Sequence, residues 1–317
     1  MLTRTGRAAD TIAWLGTLCT RQQDYRSKQD MTAHQLPELH ETVPGRIPVG
    51  LSSASVWPQP ARAAFEMAAD LGFDGVEVMV WADPVSQDVG ALRRLSERYG
   101  VPVLSVHAPC LLITQRVWSA DPEERLRRSV VAASELGAST VVVHPPFRWQ
   151  RRYAERFGEL VAELEETSGI AVAVENMYPL RPPNSLSRLH NGRFNGLSAF
   201  TPSPDPTEVG YRNYTLDLSH AAAAHMDVIE LFKRMKDQLA HVHFADGTGA
   251  ARDEHLVPGQ GSQPCAELCE ALAAEDYRGA VVLEVNTRKA RTVQERMALL
   301  AESLLFTRRH LEPLPRG

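Results

Sequence analysis

From Ile47 onward, short apolar runs alternate with stretches in which apolar residues recur every three or four positions. The runs are "IPVGLS", "GVEVMV", "VPVLSVHAP", "TVVVHPP", "IAVAVENM", "YTLDLSH", "LAHVHFAD" and "AVVLEVNT". The spacing predicts helices over about Pro60–Leu71, Asp88–Tyr99, Asp121–Gly137, Gln150–Ser168, Asp227–Gln238, Pro264–Ala274 and Val293–His310. Gly72, Gly100, Gly137 and Gly169 read as stops, and Pro122 suits a first turn. The strands are continuously apolar, as expected when a parallel sheet is covered on both faces. Eight such strands, alternating with helices, fit a single α/β domain, a (β/α)8 TIM barrel over residues 46–312, better than an open doubly wound sheet. The stretch from Met177 to Arg212 breaks the rhythm. It is rich in Pro, Asn, Ser and Gly and is expected to lie over the barrel mouth as a lid-like loop, 177–212.

Residues 1–45 carry mixed charge and no sustained periodicity, so they are expected to form a flexible, disordered N-terminal extension. Met31 lies late in that segment and is an alternative start. The 317 residues suffice for a large barrel core. A net charge of −5 gives no footprint for nucleic acid. The four cysteines, Cys19, Cys110, Cys265 and Cys269, form no CxxC pair, which favours a reducing cytoplasm over a disulfide framework. The apolar run Thr11–Cys19 is too short to span a membrane. No glycine-rich dinucleotide fingerprint follows the first strand, so no nucleotide cofactor is expected. A homo-oligomer is compatible with everything in the chain.

In such barrels the chemistry lies at the C-terminal ends of the strands. His107 ends strand three, His144 strand four, Glu175 strand five, Asp217 strand six and Glu284 strand eight. His220 follows Asp217 by three residues, strand seven carries His243 and then Asp246, and Asp253 and His255 follow in the next loop. Singly each has an ordinary reading; Asp217 before "LSHAAAA", for example, resembles a helix cap. Jointly, so many acids and histidines on buried strands would be costly to desolvate, and a cation offsets that cost. Nitrogen and carboxylate donors without thiolate suit Zn²⁺ or Mn²⁺, with Co²⁺, Fe²⁺ or Mg²⁺ also admissible. The donors outnumber the roughly four that one Zn²⁺ needs. More than one metal binds, or some of these residues handle substrate.

The stretches "SVHAP", "VVVHPP", "VENM", "LDLSH", "HVHFAD", "DEHLVPGQG" and "VLEVN" resemble the xylose isomerase-like TIM-barrel superfamily over roughly Pro48–His310. That group includes sugar phosphate isomerases and epimerases and endonuclease IV. In the isomerase branch the resemblance implies one divalent metal held by Glu175, Asp217, His243 and Glu284. The two glutamates would also be the catalytic acid and base that move a proton through a metal-stabilised enediolate, and His220 would contact substrate oxygen. In the endonuclease branch it implies additional zinc ligands at His107, His144, His220, Asp253 and His255, and hydrolysis of a phosphoester. The loops lack a clear basic, intercalating surface for bent duplex DNA, so a small carbohydrate is the expected partner rather than nucleic acid. Glu77 is expected to bind a substrate hydroxyl, Arg148 a phosphate or carboxylate, and Trp81, Trp118, Phe147 and Trp149 are candidates for an apolar wall, with loop packing as the alternative for the aromatics. In "AHVHFADGTGAARDEHLVPGQG", His241 is expected to point away from His243 and be structural, Asp246 to support His243, and Glu254 to be solvated.

Overall fold

The computed structural model describes residues 46–178 and 199–312. The extension 1–45 lies outside them, as does 179–198, most of the loop expected to act as a lid. Eight parallel strands close into a barrel in chain order: β1 Val49–Ser52, β2 Gly75–Met79, β3 Val103–His107, β4 Thr140–Val143, β5 Ala171–Glu175, β6 Tyr214–Asp217, β7 Leu239–Phe244 and β8 Ala280–Leu283. The ring closes where Leu51 of β1 sits beside Leu283 of β8. The architecture is the (β/α)8 TIM barrel that the alternation predicts.

The helices are α1 Ala61–Leu71, α2 Val89–Tyr99, α3 Pro122–Leu136, α4 Arg151–Ser168, α5 Leu218–Ala224, α6 Val228–Met235, α7 Cys265–Ala274 and α8 Val293–Leu311. Asp88 and Asp121 cap α2 and α3 with their carboxylates, satisfying backbone N–H groups that have no partner within the helix. Helices α1 to α4 end at Gly72, Gly100, Gly137 and Gly169, all in the left-handed conformation that glycine adopts without strain. On α4, Tyr153, Phe157, Leu160, Val161 and Leu164 form the buried stripe against the sheet. Burial of each large side chain contributes on the order of 1.5–3 kcal/mol, so this stripe sets which face of the helix meets the barrel.

The alternation departs from expectation on either side of β6. Between β5 and β6 the described residues hold only a single turn of 3-10 helix, Pro206–Glu208. After β6 there are two helices, because α5 starts at the strand's last residue: Asp217 accepts a hydrogen bond from the His220 N–H at 2.6 Å and turns the chain at once. The helix expected over Asp227–Gln238 is α6 followed by a 3-10 turn, Lys236–Gln238. Among the described residues, no helix is long and apolar enough to cross a membrane.

Candidate metal centre and active site

β5, β6, β7 and the residue after β8 bring four donors to one point. His243 Nδ1 lies 2.9 Å from Glu175 Oε1, 3.3 Å from Glu284 Oε2 and 3.6 Å from Asp217 Oδ2. Each lies in or directly after a strand whose apolar residues are packed into the barrel, so strand register sets the spacing. Asn176 holds Asp217 in place: its side chain donates to the Asp217 carbonyl at 2.9 Å and accepts from the Asp217 N–H at 2.7 Å. Asp217 is both a helix cap and a cluster member. Its Oδ1 caps α5, while Oδ2 faces the cluster, buried and without a hydrogen-bond partner. Glu175 Oε2 likewise accepts no well-aligned hydrogen bond, although the imidazoles of His144 and His107 lie beside it. Two buried carboxylate oxygens without an aligned hydrogen bond, set among imidazole nitrogens, are what a cation would satisfy, and the donor set fits a divalent metal. Burial opposes ionisation of Glu175, but His243, His144 and His220 outweigh it and hold its carboxyl well below the usual carboxylate range. Glu284 differs. It is partly exposed, and burial pushes its carboxyl up against the pull of His243 and His255.

Beneath this cluster the structure corrects two expectations. Residues two apart on a strand share a face, so His241 points to the same side as His243, not away from it. Both rings reach Glu77, His241 Nε2 at 2.9 Å and His243 Nε2 at 3.0 Å. Glu77 therefore does not face a substrate hydroxyl. It is fully buried, also accepts a hydrogen bond from Ser105 Oγ at 2.8 Å, and fixes the His243 ring from the side opposite the cluster. Burial disfavours the Glu77 charge, yet His243 and His241 hold its carboxyl well below 4.5, and Glu77 and Glu284 help to raise His243 well above 6.5 against burial.

The signs give a test. In metal-free protein, the Glu77 contribution to stability is present above pH 4.5 and is lost as acid protonates it. The His243 contribution is complete below pH 6.5 and is lost as the pH rises through its raised value. Glu77→Gln is expected to cost about 3–5 kcal/mol, as for one partner of a buried pair. The melting-temperature gap from wild type should be widest between pH 4.5 and 6.5; a gap independent of pH would refute the pairing.

The other histidines surround Glu175 from above. His107 Nε2 and His144 Nε2 lie 3.5 and 3.0 Å from its Oε2, and His220 Nδ1 lies 3.2 Å from Oε1. Asp253 then bridges outward, with Oδ2 3.4 Å from His220 Nε2 and 2.7 Å from His255 Nε2. Ser219, on α5, donates to Asp253 at 2.6 Å and accepts from the Glu254 and His255 N–H groups. His144 and His255 are each pushed up to about 9: burial opposes their protonation, and the neighbouring Cys110 and Glu175, or Asp253, outweigh it.

Asp246 does not support His243. Its carboxylate accepts from the N–H groups of Gly247, Gly259, Gly261 and Gln263, which ties the loop after β7 into a closed hairpin. Glu254 is not solvated either: it accepts from Thr248 and Arg252 and closes the same loop. A Cβ at Gly261 would collide with Asp246 Oδ1 and lie 2.6 Å from the Gly247 carbonyl. Gly261→Ala is thus expected to cost about 1–3 kcal/mol as an overpacked site, with a matching fall in midpoint on denaturant unfolding. A variant as stable as wild type would show that the clamp has slack.

Above the cluster opens a cleft of ≈780 Å³, counting space continuous with solvent. Of the substrate-side candidates, Trp81 lines it together with Trp57, while His220 forms part of its floor. Trp118 does not: its indole N–H donates to the Gln87 carbonyl at 3.1 Å and its ring packs on the core, so it ties two loops together. Arg148 is exposed on the loop after β4 and is not among the residues lining the cleft. Phe147 stacks between Trp149 and Phe200 in a small separate apolar cluster. Sequence reasoning missed Trp57, Asn286 and Arg288 on the cleft wall, and Asn176, Ser219 and Cys110 beside the donors. For Asn286 and Arg288 a signal existed, since both lie within four residues of Glu284, on the segment that follows β8 at the barrel mouth.

Known proteins share this fold. An uncharacterized protein of Mycobacterium tuberculosis is 57% identical over 274 residues, covering 84% of this chain and 98% of its own. The fructoselysine 3-epimerase of Shigella flexneri is 24% identical over 251 residues, covering 72% of this chain and 86% of its own. Among solved structures, a D-tagatose 3-epimerase-like protein superposes with a TM-score of 0.58 at 24% identity, covering 84% of this chain and 97% of the other. An AP endonuclease family 2 protein from Brucella melitensis gives 0.54 at 22% identity, covering 76% and 94%. The model of one family matches residues 65–310, from α1 into α8 and through every strand that supplies the cluster: the chain belongs to the xylose isomerase-like TIM barrel family.

Proposed function

We propose that the chain is a divalent-metal-dependent isomerase or epimerase acting on a small sugar, sugar phosphate or related polyhydroxy carbonyl compound. One observation carries this reading. Two carboxylates, Glu175 and Glu284, converge on His243 Nδ1 at 2.9 and 3.3 Å at the base of a cleft large enough for a sugar. Sugar 3-epimerases among the relatives support it. Glu175, Asp217, His243 and Glu284 would hold Zn²⁺ or Mn²⁺, which when bound supplies Lewis-acid polarisation of the substrate carbonyl. The remaining work belongs to the chain. Glu284 and Glu175, both on the cleft lining, are the two groups that take the proton beside the carbonyl and return it. His220, held by the Asn176 carbonyl at 3.0 Å, orients a substrate oxygen. Trp57 and Trp81 shield one side from water.

The experiment is deuterium incorporation from heavy water into a panel of ketoses, followed by NMR. Incorporation at the carbon beside the carbonyl is expected for at least one member. A panel that stays unlabelled, while a phosphoester is cleaved, would overturn the reading. That second reading, an endonuclease IV-like multinuclear zinc phosphoesterase, is favoured by one observation: His107, His144, His220, Asp253 and His255 crowd the same cleft beyond the four donors that one ion uses.

A further inference from the structure

The cleft has two poles of opposite character. At its floor are the carboxylates and histidines. At its rim is the guanidinium of Arg288, lying 4.4 Å from the centre of the Trp57 ring. Among the described residues Arg288 forms no ion pair, so its charge is held in place by the indole face without being neutralised. Glu284, Val285, Asn286 and Arg288, from one short segment, all line the cleft. Four residues of chain, even if fully extended, would place the α-carbon of Arg288 at most about 13 Å from that of Glu284. Between the poles the wall is apolar, with Met79, Trp81, Leu111 and Ile113. A neutral sugar could accept its hydrogen bonds but would leave the charge unbalanced. A planar fork of donors within that span of the reacting end matches a terminal oxyanion.

We propose that Arg288 is the specificity-determining residue of the cleft and that the substrate carries an anionic group, phosphate or carboxylate, at the end distant from its carbonyl. The inference rests on the sugar-converting reading of the site, since it assigns the far end of that substrate. Asn286, on the same cleft lining, supplies a neutral donor to the same group or to the neighbouring hydroxyl. Trp57 has two tasks: it seats the guanidinium and covers the sugar carbons next to it.

The test uses full-length, metal-loaded protein and three matched probes: D-fructose, its 6-phosphate and its 6-carboxylate, fructuronate. Binding is measured by calorimetry and deuterium incorporation by NMR. Wild type is expected to bind at least one anionic probe about tenfold to a hundredfold more tightly than fructose. In Arg288→Gln that ratio should fall towards one, and in Arg288→Lys it should be partly kept, because charge remains without the fork. Which anion shows the larger ratio identifies the group. Equal binding of all three by wild type, or a ratio that survives Arg288→Gln, overturns the proposal, as does a ratio that collapses in Arg148→Gln instead. The two readings fail separately. Arg288-dependent anion binding without deuterium incorporation would sink the epimerase reading and leave the anion subsite standing. Incorporation with no anion preference would do the reverse.

Discussion

Glu284→Gln is expected to slow deuterium incorporation into substrate by about 10²–10⁴-fold, the range for removal of a general acid or base. Glutamine keeps the shape of the side chain and one oxygen, so the cleft is retained while the proton acceptor is lost. The position of Glu284 makes the experiment informative. Both carboxylates line the cleft, and Glu284 is the more open of the pair, with 12% of its side chain exposed against 1% for Glu175. Burial already biases its carboxyl towards the neutral form, the direction that brings a carboxylic acid nearer to working pH. Metal content measured on the same sample separates proton transfer from coordination. Loss of exchange with wild-type metal content assigns the proton to Glu284. Loss of both means that its first duty is to the cation. Retention of exchange within a factor of two would remove Glu284 from the chemistry. Glu175→Gln should behave differently. Three histidines and His243 surround that group, so loss of its charge is expected to empty the site and lower the melting temperature together.

Protein purified without added metal is expected to carry about one divalent ion per chain, as a single set of four donors would hold. Asp217→Asn should lower metal affinity by at least about 100-fold, the upper range seen when only a supporting residue is lost. Asparagine can still accept the His220 N–H and cap α5, so the helix start survives and the loss reads on coordination. In Asp253→Ala/His255→Ala the content should stay at about one ion, because those residues meet each other and His220 rather than His243. Two or three zinc ions in wild type, falling in the double variant, would move phosphoester hydrolysis to first place.

Much of this site could be located from the order of residues alone, because a parallel strand buried on both faces announces itself as an apolar run and its last residue must emerge at the rim. His107, Glu175 and Asp217 are the final residues of β3, β5 and β6 in the structure, and His144 and Glu284 follow β4 and β8 directly. What could not be read was contact between strands distant in the chain. Glu77 looked like a rim residue, but the β2–β3 ladder shifts register beside it, and its carboxylate ends under His243, 166 positions away. Asp246 follows the strand it was expected to serve, yet four backbone N–H groups of its own loop compete for it and prevail. Arg148 and Arg288 illustrate the same limit. Both are arginines in loops after strands, and only the path of each loop decides which one faces the cleft.

The bond between Glu77 and His243 also bears on how the protein comes apart. β2 and β7 are not neighbours; β1 and β8 lie between them around the ring. The bond therefore braces the barrel across its interior, from the half made early in the chain to the half made late. If β1 and β2 peel away, His243 loses its anchor even while β7 stays paired with β6 and β8. On the metal-binding reading of the site, opening of that edge would free the His243 ring, so metal release should keep step with the slower-exchanging amides of the sheet rather than with fraying of any one segment.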